Sequence, residues 1–249
     1  MKRFNKFINN LFFLKNAPEV FARTYMDINK SKSYKSYCQE LHGVDFSCWN
    51  TLSVNQREFL EEELQRMKPS TLLDIGSGNG ELTKYLSSKF QLTATGIDFS
   101  ICPEKTKSAQ FIRGKFLEHS FSSKYSTIIL IDSFYMINNY KKYFKKLLSL
   151  LDSHGKIIII FTLTMEEFEN SKVLKAIKSL HLEYSLTDFT KDDFNFWKSS
   201  KDLLEKYNDL FVDEGYFNLW NIKNKEADKN IQLHDTCNTS RLALIIKRG

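Results

Sequence analysis

The chain has 249 residues, 42% of them hydrophobic, 27% charged and 3 of them proline. That balance excludes a disordered or collagen-like polypeptide, and one α/β domain with a smaller appendage accounts for the length. Residues 1–37 hold eight basic and two acidic side chains, a surplus equal to the whole formal charge of +6; a patch facing an anion and a solvated helix face both fit it.

In chain order, Phe4, Phe7, Ile8, Leu11 and Phe12 recur at i, i+3, i+4, i+7 and i+8. The spacing predicts a basic amphipathic helix over residues 4–15, lying on a membrane surface or on the protein's own body. A second helix is predicted over 18–29, with Pro18 in its first turn, and a third over 34–41, stopped at Gly43. Residues 43–50 read as a loop. Ser53 and Gln56 form a capping box for a helix over Val54–Met67. Thr71–Ile75 follows as an apolar strand fit for burial in a parallel sheet. Its turn ends at Gly80, a helix runs from Glu81, and residues 92–97 make a second strand. Only residues 99–108, with Pro103 among them, separate that strand from the apolar run at 110–113. A full crossover helix does not fit there.

Residues 125–132 read as a fourth strand ending in a carboxylate. A helix is predicted over 140–151 with Gly155 as its stop, and then a fifth strand over 156–161. Residues 165–212 break the alternation and read as two or three helices, at 166–181, 190–197 and 199–210. Residues 216–223 and 241–247 read as an antiparallel strand pair.

Two features carry chemistry. Leu72-Leu73-Asp74-Ile75-Gly76-Ser77-Gly78-Asn79-Gly80 joins an apolar strand to a helix through a glycine-rich turn. The second strand then ends on Asp98, whose carboxylate can accept hydrogen bonds from both hydroxyls of a ribose. A dinucleotide fingerprint needs its third glycine at the sixth position, where this chain has Glu81; the third glycine comes at the fifth, Gly80.

The pattern D-x-G-x-G-x-G followed by Asp98 resembles class I S-adenosylmethionine-dependent methyltransferases, over about residues 53–247. The resemblance implies a Rossmann-like sheet of seven strands, the last antiparallel, and S-adenosylmethionine as cofactor with S-adenosylhomocysteine as product. Carried over position by position, Asp74, Gly76, Ser77, Gly78, Asn79 and Gly80 accommodate the methionine end, and Asp98 holds the ribose, with Phe99 beside it. Residues 131–135 match the fourth motif, which places Asp132 and Tyr135 where that strand opens toward the methyl group. Lys115 stands where the family places an acidic residue against adenine. Lysine cannot accept a hydrogen bond, so Phe116 and Leu117 are expected to sandwich the ring instead.

A general base is needed only if the methyl acceptor arrives protonated. The candidates are Asp132, Tyr135 and His234, with His119 behind them. The expected organisation is an N-terminal helical cover at 1–52, a cofactor-binding core at 53–164, a helical lid at 165–212 and a strand pair at 213–249. Tyr25, Tyr34, Tyr37, Trp49, Phe168, Phe189, Phe194 and Trp197 are candidate lining for an apolar substrate pocket. The leading reading is methyl transfer to a nitrogen or oxygen of a small molecule. The alternatives are an RNA or protein methyltransferase, favoured by the basic N-terminus, and a non-catalytic adenosine-binding regulator, favoured by Lys115. No nucleic-acid-binding module is recognisable, and a homodimer is compatible with the chain.

Cys38, Cys48, Cys102 and Cys237 show no metal-ligand spacing, so no metal is expected and a reducing compartment is. No apolar run reaches the roughly 18 residues of a membrane span. The run at 11–14 is too short for a secretion signal, which makes a cytoplasmic location the expectation.

Overall fold

A computed structural model of the chain describes residues 17–44, 47–134, 137–164 and 167–247. The predicted helix at 4–15 and the candidate Tyr135 lie outside them. Helices α1 (Ala17–Lys30), α2 (Lys32–His42) and α3 (Val54–Met67) precede the first strand. Ser53 caps α3 as its sequence predicts, its hydroxyl accepting from the Gln56 amide at 3.1 Å. Then come β1 (Thr71–Ile75), α4 (Glu81–Phe90), β2 (Thr93–Asp98), β3 (Ala109–Arg113), β4 (Tyr125–Ile131), α5 (Tyr140–Leu150) and β5 (Leu151–Thr164). The link between β2 and β3 contains no helix, in keeping with its length and its proline. The chain ends with α6 (Lys172–Ser179), β6 (Glu183–Asp188), α7 (Thr190–Asp213), α8 (Phe217–Asp235) and β7 (Thr239–Lys247).

The seven strands form one sheet in the order β3-β2-β1-β4-β5-β7-β6, with β7 antiparallel to both neighbours. The order reverses between β1 and β4, which opens a crevice at their C-terminal ends. One side of the sheet is covered by α5 and α6 through Phe144, Leu147, Val173 and Ile177. The other is covered by α3 and α4 through Leu60, Leu64, Leu82 and Leu86. A third apolar cluster stands apart from the sheet, built from α1, α2, α7 and α8 around Ile28, Tyr34, Tyr37, Trp197, Phe211 and Leu219.

Four expectations are corrected. Residues 216–223 are not a strand: they fall in α8, where the buried residues Leu219, Lys223 and Ala227 recur every fourth position. The outer strand that pairs with β7 is Glu183–Asp188, in the stretch expected only to connect two helices. It is an edge strand with all six residues exposed, and its apolar alternation is limited to Tyr184 and Leu186. The two helices expected at 190–197 and 199–210 are the single helix α7. Gly155 does not stop α5; it lies within β5, packed against Leu151.

Candidate active site

The 76–80 turn sits in the crevice at the end of β1. Gly76, Gly78 and Gly80 all adopt left-handed backbone, with φ of 84°, 53° and 79°. At Gly76 the requirement is absolute, because a Cβ would overlap Ser133 Cβ. At Gly78 a Cβ would lie 2.8 Å from Tyr25 Oη. The Ser77 hydroxyl is buried without a hydrogen-bond partner, and the N-terminus of α4 starts at the same turn. An anionic or hydrogen-bonding ligand fits such a cradle.

Asp74 lies beneath the turn, 2% exposed, and accepts from Thr83 Oγ1 at 2.5 Å. Burial pushes its carboxyl up to about 7, against the Thr83 bond. The folded chain therefore holds that proton more tightly than the unfolded one. This contribution weakens the fold as pH rises from about 4 to about 7, with a slope approaching 1.4 kcal/mol per pH unit. His42, pushed down from 6.5 to about 4 by burial, acts in the opposite sense over most of that window. Comparing wild type with Asp74→Asn isolates the effect: the variant should gain relative stability as pH rises to 7. Parallel urea midpoints at pH 5 and pH 8 would refute it.

Asp98 ends β2 as expected, but its carboxylate is already engaged. Oδ1 accepts from the Ser100 amide at 2.8 Å and the Ser100 hydroxyl at 2.5 Å, and Oδ2 accepts from Gly78 N at 3.1 Å. It ties the turn to β2 and keeps acceptor capacity on Oδ2. We expect Asp98→Ala to weaken S-adenosylhomocysteine binding by about 10- to 100-fold, the loss of a charge-assisted acceptor. Equal titration calorimetry for variant and wild type would remove the ribose assignment.

A cavity of about 70 Å³ opens over the turn. Asp74, Gly76, Ser77, Gly78, Asn79 and Leu82 form its floor; Phe21, Tyr25, Cys48, Trp49, Asn50, Ile131 and Asp132 form its walls. Of the eight candidate pocket aromatics, only Tyr25 and Trp49 are there. Tyr34, Tyr37 and Trp197 belong to the helical cluster, and Phe168 to the core under α6. Phe189 packs on Phe59, and Phe194 on His234. The expected adenine sandwich is not assembled: Phe116 is turned into the core against Tyr143 at 4.9 Å, and Leu117 is exposed. Phe99 meets Phe21 edge-on at 5.6 Å, so α1 reaches from the glycine turn, where Tyr25 lies over Gly78, to the end of β2.

Asp132, expected as a base, is a strut. It holds a left-handed backbone at the end of β4, with φ of 53°. Arg241, fully buried on β7, donates Nη1 to Oδ1 and Nη2 to Oδ2, the latter at 3.2 Å. Oδ2 also accepts from Thr51 N at 2.8 Å and Thr51 Oγ1 at 3.0 Å. Burial would raise this carboxyl, but Arg241 and Thr51 overcome it and hold the group below the ordinary carboxylate value. A fully ionised carboxylate with four donors is a poor proton acceptor.

Arg241 also reaches Gln56 Oε1 at 3.0 Å and lies 3.8 Å from Asp193. Asp193 accepts from Trp197 Nε1 at 3.1 Å and pairs with His234 Nε2 at 2.8 Å. His234 is thus a buried side chain on the last turn of α8, part of a polar network behind the cavity rather than in it. His119 packs edge-on against Phe121, also away from the cavity. Arg241 was overlooked in the sequence, although an arginine opening the run Leu242-Ala243-Leu244-Ile245-Ile246 is itself a signal of a buried partner.

Residues 36–208 match the family model described as a methyltransferase domain. The chain belongs to that family. By family and fold it is a class I S-adenosylmethionine-dependent methyltransferase. It is 25% identical over 163 residues to an uncharacterized methyltransferase of Alkaliphilus oremlandii (strain OhILAs), covering 62% of this chain and 71% of that one. Its fold is similar to phosphoethanolamine N-methyltransferase 2 of Haemonchus contortus, solved with phosphomonomethylethanolamine and S-adenosylhomocysteine (TM-score 0.73, 15% identity). That match covers 91% of this chain and 60% of that protein, so the chain spans well under two thirds of its length. It is also similar to the cyclopropane synthase MmaA2 of Mycobacterium tuberculosis (TM-score 0.65, 10% identity, 90% and 98% covered). One fold therefore serves different acceptors, and the acceptor has to be read from the site. No helix among the described residues is long and apolar enough to cross a membrane.

Proposed function

We propose that this methyltransferase acts on a small molecule, transferring the methyl group to a nitrogen or oxygen atom. The observation that carries the reading is the cavity whose floor is the glycine turn and whose walls include Phe21, Tyr25, Trp49 and Asn50. It is covered by α1 and by the loop before α3, and a chamber under such a cover suits a compact acceptor. S-adenosylmethionine supplies an activated methyl group when bound, so the protein's task is to orient the acceptor and exclude water.

Within the cavity the residues divide that work. Phe21 and Tyr25 line it with aromatic rings, which attract cationic or amine-bearing groups, while the Trp49 ring already carries Lys223 Nζ at 4.4 Å. Asn50 and Asn79 offer polar anchors, and Asn79 is itself fixed by Asn29 Oδ1 at 2.9 Å and Ser47 O at 2.7 Å. Asp132 is spoken for, and His42 is buried with its titration pushed down to about 4. These features favour a nitrogen acceptor that arrives with its lone pair free.

Ligand sites for small molecules run to about 300–1,000 Å³, several times this cavity. We therefore take α1 to be a cover that withdraws to admit ligand, carrying Phe21 and Tyr25 with it. S-adenosylhomocysteine at a hundredfold excess over its dissociation constant should stabilise the protein by about 2.7 kcal/mol, a rise in Tm of about 5–10 °C. No shift would refute the cofactor site. Release of S-adenosylhomocysteine with a panel of small amines, against matched alcohols, tests the acceptor; turnover with alcohols alone would overturn the nitrogen assignment.

A further inference from the structure

The helices on one side of the sheet carry a single sign of charge. On α5, Lys141, Lys142 and Lys145 are exposed and Lys146 is half-buried; on α6, Lys172, Lys175 and Lys178 are exposed. Neither helix contains an acidic residue or an arginine. The two pack side by side, burying Tyr143, Phe144, Leu147, Val173, Leu174 and Ile177 against the sheet, so every lysine points outward or along the rim. The nearest acids in sequence, Asp152, Glu167 and Glu169, lie beyond the helix ends.

This is segregation rather than excess. Since residues 1–37 account for the net charge, residues 38–249 balance to zero. The compensating acids lie elsewhere, and α3, on the opposite side of the sheet, has Glu58, Glu61, Glu62 and Glu63 against Arg57 and Arg66. With Glu81, Lys84 and Lys89 on α4, the helices of that opposite side mix both signs, while α5 and α6 carry only one. Crowding on the basic side is visible at Lys146, whose ammonium sits over Phe116 at 5.0 Å and whose titration is drawn down first by burial and then by Lys142.

Apolar side chains border the same side. Tyr184 and Leu186 on edge strand β6 stand opposite Ile246 and Leu244 of β7, which belong to the core under α5 and α6. They are 42% and 37% exposed, Tyr184 leaning on Phe168 at 5.9 Å.

We propose that this face docks on the surface of an anionic phospholipid bilayer, with the lysines over the headgroups, Tyr184 and Leu186 at the interface, and the α3 side turned away. Lysine without arginine supplies diffuse attraction to a negative surface. The forked guanidinium contacts and exposed stacking rings that mark nucleic-acid recognition are absent from α5 and α6. A tyrosine and a leucine at the edge of a polybasic surface match the headgroup level of a membrane. Residues 4–15 repeat the pairing of lysine with apolar side chains in sequence.

The test is flotation of the full chain with vesicles of phosphatidylcholine alone and with about a third phosphatidylserine, from about 0.05 to 0.3 M salt. Wild type should float only with the anionic vesicles and be released by salt. Replacing Lys141, Lys142, Lys145 and Lys175 by Gln should lower the partition coefficient by on the order of a hundredfold, and Tyr184→Ser should lower it further. All of these side chains are exposed and remote from the cavity, so Tm and the S-adenosylhomocysteine shift should not change. Wild-type binding to neutral vesicles, or equal flotation of the four-lysine variant, would overturn the proposal. So would a low-salt RNA complex that needs those lysines while vesicle binding is nil.

Discussion

Replacing Arg241 by Met is expected to destabilise the protein by about 3–5 kcal/mol, the usual result of removing one partner from a buried ion pair. The guanidinium is completely buried, chelates Asp132 and stands beside Asp193. Without it two carboxylates remain in a low-dielectric interior with no cation between them. For a chain of this size the loss corresponds to a fall in Tm of about 6–20 °C. Asp132→Asn in the Arg241→Met background should recover part of it, because the stranded charge is gone. Urea denaturation of the single and double variants measures this. A wild-type midpoint for Arg241→Met would show that the strut carries no weight. The same variant should loosen Thr51, and with it the loop bearing Trp49 and Asn50, so acceptor selectivity should fall further than cofactor affinity.

Gly78→Val should reduce cofactor binding by at least about 100-fold while the chain stays folded. Its left-handed φ of 53° is costly for any β-branched side chain. A Cβ at this point lies 2.8–3.0 Å from the ring and hydroxyl of Tyr25, so the α1 cover must shift before ligand is even considered. The distortion is confined to the buried turn and the α1 side chain packed on it, which spares the sheet core. Equilibrium dialysis with labelled S-adenosylhomocysteine reads the loss, and far-UV circular dichroism checks the fold. Retained affinity would mean the turn does not cradle the ligand.

The parallel half of the fold was legible because its signals are local. Buried strands such as Thr71–Ile75 are unbroken apolar runs, and Ser53 with Gln56 marks the start of α3 to the residue. Where the sequence misled, the decisive contacts were distant. Strand β6 is exposed along its whole length, so its one local signal is the short alternation of Tyr184 and Leu186 between polar residues; pairing with β7, more than fifty residues on, makes it a strand. Residues 216–223 alternate like a strand, yet the helical cluster claims Leu219, Lys223 and Ala227. The glycine turn and Asp98 could be located by spacing alone. That Asp132 is neutralised by Arg241 could not, because chemistry assigned from a motif takes no account of a partner 109 residues away. Phe21 was missed for the same reason: its role depends on how α1 lies over the cleft.

The same strut has a consequence for how the molecule assembles. Thr51, Asp132 and Arg241 come from the loop before α3, the end of β4 and the antiparallel strand β7. Closing that triangle requires loops of 81 and 109 residues to be drawn together. Pairings of such long range are made late, after local helices and neighbouring parallel strands have formed. A folding intermediate holding β1, β2 and β4 would already present the glycine turn, but the loop carrying Trp49 would have nothing to anchor it. Competence thus arrives in two stages, a cofactor cradle first and an enclosed chamber only once β7 slots between β5 and β6. In pulse-labelled hydrogen exchange the Thr51 amide should gain protection together with the β7 amides and behind those of β1.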